Sequence, residues 1–377
     1  GVVGVLSPWN YPLALVSGDV LPALVAGNAV LVKPDHRTTL TALWQVALMH
    51  EAGVPRDVVR VVPGDGAVVG PLVVDRVDYV MFTGSTPVGR QVAARCGERL
   101  IGCSLELGGK NAMIVRADAD VKKAAEIATR GSFTNAGQLC ISIERMFVAD
   151  AIYDRFVPAF VAAVNAMRIG PAFDFSTQMG SLTSTEQLDA TSAHVDDAVA
   201  KGATVLAGGT ARADLGPYFF EPTVLTDVTP EMTCFAEETF GPLVSIYRFS
   251  TDDEAIALAN DTRYGLNASV WSRSATRGRN VAARLHSGTV NVNEVTDEEA
   301  KEFYAHLTHD YTEPLKTIHM SVEGAIEFKA LLFLPKNAGF DLLMPNKKHG
   351  LSLYVRNVFI GSDLDMLLPE YLRFVKG

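Results

Sequence analysis

Residues 1–12 read GVVGVLSPWNYP, in which a short apolar, β-rich run leads into a segment bracketed by Pro8 and Pro12. Because proline fixes its own backbone and lacks an N–H donor, the pattern predicts a strand that ends in a strand-to-helix loop. Leu13–Ala26 then has helical periodicity, and Gly27-Asn28 is a typical helix C-terminal signal. The chain therefore begins with a strand, a loop and a helix.

The same alternation continues along the chain. Further predicted strands are Ala29–Lys33, Val58–Val62, Val77–Phe82, Ser104–Leu107, Arg145–Val148, a strand ending at Phe249, Tyr264–Trp271 and Ser287–Asn293. Further predicted helices are Thr39–Glu51, Val88–Cys96, Val121–Gly131, Ile152–Met167, Ser184–Ala203, Asp252–Asp261 and Thr276–Leu285. Apolar strands that alternate with helices indicate a parallel sheet covered on both faces. The predicted fold class is α/β, with a Rossmann-like parallel sheet followed by a second α/β region.

Polar or glycine-rich loops follow the first strands. These loops contain Trp9-Asn10, Lys33-Pro34, Gly64–Gly66, Gly84-Ser85 and Glu106. Because ligands of such sheets bind at the carboxyl ends of the strands, the loops predict a nucleotide cleft. The GxGxxG fingerprint is absent, but Gly84-Ser85 precedes a helix and can offer backbone N–H groups to a diphosphate.

Two short motifs carry candidate chemistry. LELGGK (residues 105–110) contains Glu106, and NAGQLCI (residues 135–141) contains Cys140. A carboxylate that faces a lone thiol suits acyl chemistry through a thioester, while the alternative is that Cys140 is a small buried hydrophobe. The remaining cysteines are interpreted as packing residues and are Cys96, Cys103 and Cys234. The sequence has no CxxC pair and its histidines are scattered, so we predict no metal site.

Composition excludes several classes of protein. The 377 residues are 48% hydrophobic and carry a net charge of −10, which argues against a nucleic-acid surface. No apolar run reaches the length of a membrane span and no signal-peptide pattern is present, so the predicted location is cytoplasmic, without membrane partners. The chain begins inside an apparent strand and without Met, which is typical of a fragment.

Seven ordered motifs resemble the aldehyde dehydrogenase superfamily over Gly1–Val295. The motifs are SPWNYP, VLVKP, FTGSTPVG, LELGGK, NAGQLC, EETFGP and YGLNASVW. Within that superfamily, GQLCISIER is most similar to the succinate-semialdehyde dehydrogenases of actinobacterial type. The resemblance implies oxidation of a small aldehyde, such as succinate semialdehyde, to the acid through a thiohemiacetal and a thioester, with NAD or NADP as cofactor.

The resemblance also implies catalytic roles for three residues. Cys140 matches the nucleophile, and Glu106 matches the general base that activates water against the thioester. Asn10 matches the oxyanion donor, together with the backbone N–H of Cys140. The alternatives are a local turn cap for Asn10 and a solvated strand end for Glu106.

Nine residues match the family's cofactor site or its neighbourhood. They are Trp9, Lys33, His36, Gly66, Gly70, Gly84, Ser85, Glu238 and Phe240. The resemblance implies that Lys33 binds the adenine ribose, that Glu238 holds the nicotinamide ribose and that Phe240 packs near the nicotinamide. Trp9 is expected to line the cleft, and the glycines and Ser85 to lie along the adenosine and diphosphate.

Two positions leave alternatives open. NAD-specific relatives often carry Glu where this chain has His36, so a 2′-phosphate meets no carboxylate there and NADP use is expected, although Asp35 is adjacent. Arg145 can be interpreted as an anchor for a substrate carboxylate. Its place at the start of a strand favours a structural ion pair instead.

The family's pattern stops after Val295, where its further active-site loop and oligomerisation strand are expected. Thr296–Gly377 instead resembles the middle domain of the ninety-kilodalton heat-shock chaperone family, through KKHGLSLYVRNVFI and LPEYLRFVKG among other stretches. This region predicts a helix (Asp297–Leu307), a pair of strands (Ala325–Leu334 and Leu351–Ile360) and a helix ending near Gly377.

The predicted organisation is therefore composite. It comprises an N-terminally truncated cofactor domain (1–108), a C-terminally truncated catalytic domain (109–295) and a chaperone-like fragment (296–377), as in a chimera or a mis-joined chain. A homo-oligomer is expected for the aldehyde dehydrogenase family, but the pairing elements are missing. The alternative function is a catalytically inactive fragment or fusion that binds protein partners through its C-terminal segment.

Overall fold

The computed structural model describes residues 1–172, 174, 176–293, 314–322, 328–336, 351–355 and 358–364. The chain divides into two compact units, Gly1–Asn293 and Glu294–Gly377. The finer division into three domains, with boundaries after residues 108 and 295, stays a prediction.

The first sheet of the first unit is parallel throughout. Its strands are β1 (Val2–Ser7), β2 (Ala29–Pro34), β3 (Val59–Val61), β4 (Tyr79–Thr83) and β5 (Gly102–Glu106). The helices between them are α1 (Ala14–Val25), α2 (Thr39–Glu51), α3 (Gly66–Val74) and α4 (Thr86–Glu98). The spatial order β3-β2-β1-β4-β5 is that of a doubly wound sheet, so the predicted Rossmann-like fold is confirmed.

Strand register brings the loops of the predicted cleft to one edge. Ser7 of β1 lies beside Pro34 of β2, and Thr83 of β4 lies beside Glu106 of β5. The order of the strands reverses between β1 and β4, and a ligand crevice is expected at such a reversal. The loops after β1 and β4 therefore flank the predicted binding position.

Both faces of this sheet are covered by apolar helix faces. One layer packs valines of β1, β2 and β3 against α1 and α2, and its buried members include Val5, Val16, Val20, Val32 and Val46. The other layer packs β1 and β4 against α3 and α4, and its buried members include Leu6, Val73, Val80, Phe82 and Val92. β-Branched residues suit strands that are buried on both faces.

One helix of this region was not predicted. Gly66, Gly70 and Pro71 interrupt the helical pattern of α3, because glycine and proline are poor residues for a helix interior. The helix forms nevertheless, since the Asp65 side chain accepts a hydrogen bond from the N–H of Ala67 at its start. Burial of its last turn in the core adds to that cap.

The second sheet of the first unit is mixed. Its strands are β6 (Asn111–Val115), β7 (Ile143–Ala149), β8 (Thr204–Ala207), β9 (Thr223–Thr226), β10 (Leu243–Phe249), β11 (Asn267–Trp271) and β12 (Thr289–Val292). The helices are α5 (Val121–Phe133), α6 (Asp150–Asn165), α7 (Thr185–Ala200), α8 (Thr233–Ala236), α9 (Asp252–Asn260) and α10 (Ala275–Ala282). The spatial order is β12-β11-β6-β7-β10-β9-β8, with only the β8–β9 pair antiparallel. Every residue of the central strands β6 and β7 is buried.

The described part of the second unit consists of two antiparallel strand pairs. β13 (Lys316–Val322) pairs with β14 (Phe328–Leu334), and β15 (Leu351–Val355) pairs with β16 (Val358–Leu364). The predicted pairing of Ala325–Leu334 with Leu351–Ile360 is therefore wrong. Each strand pairs with its neighbour in sequence, because a short connection costs less loop-closure entropy. The helices predicted at Asp297–Leu307 and near Gly377 lie outside the described residues.

The described residues contain neither a candidate membrane-spanning helix nor a candidate metal-binding cluster. None of the helices in that part of the chain is long and apolar enough to cross a membrane. In the same part, no group of three or more His, Cys, Asp or Glu side chains could hold a metal ion.

Candidate active site

Cys140 follows a tightly wound loop between α5 and β7. A short 3-10 turn over Thr134–Gly137 places Asn135, Ala136 and Gly137 at positive φ angles of 53°, 55° and 71°. A Cβ atom on Gly137 would lie 2.0 Å from the carbonyl oxygen of Gly241, so only glycine fits this position. The Cys140 loop, residues 134–140, therefore packs tightly against the turn that carries Glu238 and Phe240.

Asn10 reaches this loop from the end of β1. Its Nδ2 donates to the carbonyl oxygen of Gln138 at 3.1 Å, and its own carbonyl accepts from Asn135 Nδ2 at 3.1 Å. Gln138 is buried, and its side chain accepts from the N–H of Thr183 at 2.8 Å. The Asn10 amide, the predicted oxyanion donor, is therefore hydrogen-bonded to the residue two positions before Cys140. The loop that carries the thiol fixes its position.

Two carboxylates influence the Cys140 thiol. Burial, followed by the charges of Glu238 and Glu106, raises the pKa of Cys140 to about 11, while the backbone N–H groups of Cys140 and Ile141 act in the opposite direction. The Glu106 carboxylate therefore acts on the Cys140 thiol through its charge, and its role as general base stays a prediction. The thiol is held protonated mainly by burial, and the carboxylates add to this effect when they are charged.

Glu238 lies over the LELGG turn. Its Oε1 accepts a hydrogen bond from the N–H of Gly109 at 2.9 Å. Burial raises the pKa of Glu238 to about 7, with the charge of Glu144 adding to the rise and the Gly109 N–H and Lys110 opposing it. Near neutral pH this carboxyl is half protonated, so it can exchange a proton close to the thiol.

Two further residues of the site were missed by the sequence analysis. Asp19 on α1 has its pKa raised to about 6 by burial and then by the charge of Glu106. Burial and the charge of Cys140 raise the pKa of Tyr11. The one available signal was a carboxylate within the apolar periodicity of α1, which sequence alone does not connect to Glu106.

A cavity of about 650 Å³ lies at the switch point of the first sheet. Six of the predicted cofactor residues line it, and they are Trp9, Lys33, Gly66, Gly70, Gly84 and Ser85. Asp35, Arg95 and Glu98 also line the cavity and were not predicted to bind. Lys33 is largely buried, and this burial lowers the pKa of its amine, while Asp35 and Asp65 oppose the shift.

The cavity fits a dinucleotide in two respects. Ser85 begins the 13-residue helix α4 without a side-chain cap, so the first N–H groups of α4 lie at the cavity wall, where an anion is stabilised. A Cβ on Gly84 would lie 2.7 Å from the Phe82 ring, which keeps this turn narrow. Lys33 supplies a cationic donor on the opposite wall.

Three predicted cofactor residues lie outside the lining of this cavity. His36 is exposed beside it, with Nδ1 3.6 Å from Asp35 Oδ1. Phe240 contacts the Trp9 ring edge to face, with centroids 5.5 Å apart, and so extends the cavity wall. Glu238 lies on Gly109, as described above.

Arg145 is a structural residue in this arrangement. Its guanidinium is buried and donates to the backbone carbonyl oxygens of Lys110, Leu258, Ala259 and Asp261. The predicted ion pair is wrong, since all four acceptors are backbone carbonyls. Those of Leu258, Ala259 and Asp261 lie at the C-terminal end of α9, where partial negative charge accumulates. Burial lowers the pKa of the guanidinium.

The fold and the site together define an α/β protein with a cavity of about 650 Å³ at the switch point of its first sheet and a half-buried cysteine in the neighbouring α/β region. The sequence profile of the aldehyde dehydrogenase family matches residues 1–305, and the chain belongs to that family. The profile of the Hsp90 protein family matches residues 288–377, in agreement with the resemblance of Thr296–Gly377.

Curated proteins and solved structures that are similar to this chain are also aldehyde dehydrogenases. A putative succinate-semialdehyde dehydrogenase (NADP(+)) of Mycobacterium ulcerans is 59% identical over 294 residues, which cover 78% of this chain and 57% of that protein. Its counterpart in Mycolicibacterium smegmatis is 58% identical with the same coverage. The crystal structure of betaine aldehyde dehydrogenase from Staphylococcus aureus in complex with NAD+ matches with a TM-score of 0.75 and 38% identity, over 78% of this chain and 59% of that chain. The chain thus spans 57% of the length of these curated relatives.

Proposed function

We propose that this chain is an NAD(P)-dependent aldehyde dehydrogenase that oxidises succinate semialdehyde to the acid. The observation that carries the proposal is that the charge of Glu106 acts on Cys140, while Asn10, next in sequence to Trp9 of the cavity lining, hydrogen-bonds Gln138 in the same loop. The substrate class rests on the succinate-semialdehyde dehydrogenases that are 58–59% identical to this chain.

In the proposed reaction, Glu106 takes the proton of the Cys140 thiol and passes it to solvent, and the sulfur attacks the aldehyde carbon. Asn10 Nδ2 and the backbone N–H of Cys140 stabilise the resulting oxyanion of the thiohemiacetal. A nicotinamide cofactor held by the residues that line the cavity would accept the hydride that the thiohemiacetal carbon loses as the thioester forms. Glu106 then takes a proton from water, the hydroxyl attacks the thioester carbon, and the carbon–sulfur bond breaks to release the acid and the thiolate.

For the cofactor we propose a preference for NADP. Lys33 lines the cavity, and His36 and Arg37 lie beside Asp35. The Asp35 carboxylate accepts from the N–H of Arg37 at 2.9 Å, and its ion pair with the Arg37 guanidinium offsets its charge. A 2′-phosphate near His36 therefore meets less repulsion than it would meet beside a free carboxylate.

The test is turnover of the purified chain with succinate semialdehyde and either NADP+ or NAD+, followed by the absorbance of the reduced cofactor. We expect wild-type turnover, loss of turnover in Cys140→Ala and near wild-type turnover in Cys103→Ala, which removes a thiol outside the site. A folded wild-type chain without turnover would contradict the proposal and favour the inactive fusion. The cytoplasmic location and the homo-oligomer remain predictions that this assay does not address.

A further inference from the structure

The turn after α8 carries two of the proposed cofactor residues in a strained conformation. Phe240 has a φ angle of 52°, a region that bulky side chains rarely adopt. Such a conformation persists only when the surrounding structure over-determines it. The residues that hold this turn therefore decide where Glu238 and Phe240 lie relative to Cys140.

A buried carboxylate binds the backbone of this turn. Glu144, on β7, is only 3% exposed. The N–H of Thr239 donates to its two oxygens at 3.1 and 2.9 Å, and the N–H of Phe240 donates to Oε1 at 3.0 Å. One side chain thus fixes two consecutive peptide groups at the strained position.

The charge of Glu144 is neutralised by a second motif. Lys110, the last residue of LELGGK, is equally buried, and its Nζ lies 2.5 Å from Glu144 Oε2. A buried carboxylate without such a partner would be strongly destabilising. The pair therefore joins the segment that follows Glu106 to the turn that carries Glu238.

Other contacts complete the hold on the turn from its opposite side. Gln187 Nε2 donates to the carbonyl oxygens of Thr239 and Phe240 at 3.0 and 2.8 Å. His194 Nδ1 is hydrogen-bonded to Thr239 Oγ1 at 3.0 Å. These contacts bind carbonyl and hydroxyl groups, so they do not replace the acceptor that Glu144 provides for the N–H groups.

We propose that Glu144 is a positioning residue for the cofactor reaction. Through Thr239 and Phe240 it fixes the Phe240 ring against Trp9 and the Glu238 carboxyl near Cys140. This role rests on the proposed function, since it assigns to Glu144 the alignment of the nicotinamide end of the cofactor. It is a role in alignment and not in proton transfer.

The test compares Glu144→Met and the double variant Glu144→Met/Lys110→Met with wild type, because glutamine at position 144 would keep an amide oxygen that accepts from the same N–H groups. The double variant removes the stranded lysine charge and so preserves folding if the single variant unfolds. Glu237→Gln is the matched control, because Glu237 lies in the same segment but pairs with Arg263 at the surface. Three quantities are measured, namely the Kd for NADP+ by calorimetry, the steady-state constants, and hydrogen exchange of the Thr239 and Phe240 amides.

For both Glu144 variants we expect the two amides to exchange at least about tenfold faster than in wild type. We also expect kcat to fall by about tenfold or more and the Kd for NADP+ to rise, because small displacements near the chemistry are costly in rate. The KM for the aldehyde is expected to stay within about twofold of wild type, since the turn faces the cofactor side. Glu237→Gln is expected to match wild type in all three measurements.

Two results separate the proposals. If wild type neither binds NADP+ nor oxidises the aldehyde, the proposed function is overturned and the positioning role with it. If wild type does both and the double variant keeps wild-type exchange, Kd and kcat, only the positioning role of Glu144 is overturned.

Discussion

Burial of the Cys140 thiol, with the charges of Glu238 and Glu106 adding to it, raises the pKa of this group to about 11. The surroundings therefore oppose the deprotonation that a nucleophilic role requires. Loss of either charge, or better hydration of the sulfur, would lower this pKa.

This arrangement predicts a pH dependence for alkylation of Cys140 by iodoacetamide. Because a raised pKa leaves little thiolate at neutral pH, the rate should keep rising beyond about pH 10, whereas an unperturbed thiol would reach half its maximal rate near pH 8.5 and level off about one unit above. Glu238→Gln removes a negative charge and should lower the apparent pKa. Its effect should appear only above the Glu238 pKa of about 7, where the wild-type carboxyl is charged. A wild-type rate that is half-maximal near pH 8.5 would contradict the raised pKa.

His36 gives a second prediction at this scale. Replacement by Glu places a carboxylate beside Asp35, so the kcat/KM for NADP+ should fall by about tenfold or more, while that for NAD+ should change less. The ratio of the two constants is the measurement. His36→Gln, which adds no charge, is the control, and an unchanged ratio in His36→Glu would place the 2′-phosphate elsewhere.

At the scale of secondary-structure elements, two loops depend on their exact backbone path. The Cys140 loop needs Gly137 because a Cβ atom at this position would collide with the Gly241 carbonyl. We expect Gly137→Ala to lower the free energy of unfolding by about 1–3 kcal/mol and to reduce turnover. Gly97, in α4, has open space around its Cβ position.

Gly97→Ala is therefore the matched control, and it should raise the free energy of unfolding by about 0.5–1 kcal/mol, because alanine is the better helix former. Urea denaturation measures both variants. Equal stability of the two would show that the contact between residues 137 and 241 is not maintained.

Arg145 joins β7 to the end of α9. A variant at this position distinguishes the two roles predicted from the sequence, a substrate anchor and a structural residue. Arg145→Lys keeps the positive charge but loses hydrogen bonds to carbonyls, so stability should fall by about 1–3 kcal/mol. The KM for succinate semialdehyde should remain within about twofold of wild type. A large rise in KM without loss of stability would instead support a substrate anchor.

The strands and helices that the sequence predicted well have uninterrupted periodicity. The helix Thr39–Glu51 has the predicted ends, and the strands of the first sheet shift by one or two residues. α3 was missed because its glycines and proline hide a helix that capping and burial stabilise. The strand partners of the second unit were predicted wrongly, because the sequence analysis did not predict β13 and took most of β15 and β16 as one continuous strand.

At the scale of the whole molecule, the chain divides into two compact units. The three tryptophans, Trp9, Trp44 and Trp271, all belong to the first unit, Gly1–Asn293. Tryptophan fluorescence should therefore follow unfolding of the first unit, while far-UV circular dichroism follows both. We expect the two probes to give different denaturation midpoints, as in chains whose units unfold separately.

Coincident midpoints would contradict this prediction and indicate one cooperative molecule. Intact mass of the purified chain is the control, because it verifies that the join after Val295 is continuous.

Most of the family's catalytic motifs were identifiable from sequence because each is a short local pattern. The contact of Lys110 with Glu144 was not, since the residue just before β6 and the residue on β7 are brought together only by the folded sheet.

The Lys110–Glu144 contact also constrains how this sequence can change over time. Either residue lost alone would leave its partner as an isolated ion away from water, so single substitutions there should be selected against. Amino-acid substitutions at positions 110 and 144 are therefore expected to occur together. The two residues should therefore co-vary among descendants of this gene, each change at one position accompanied by a compensating change at the other.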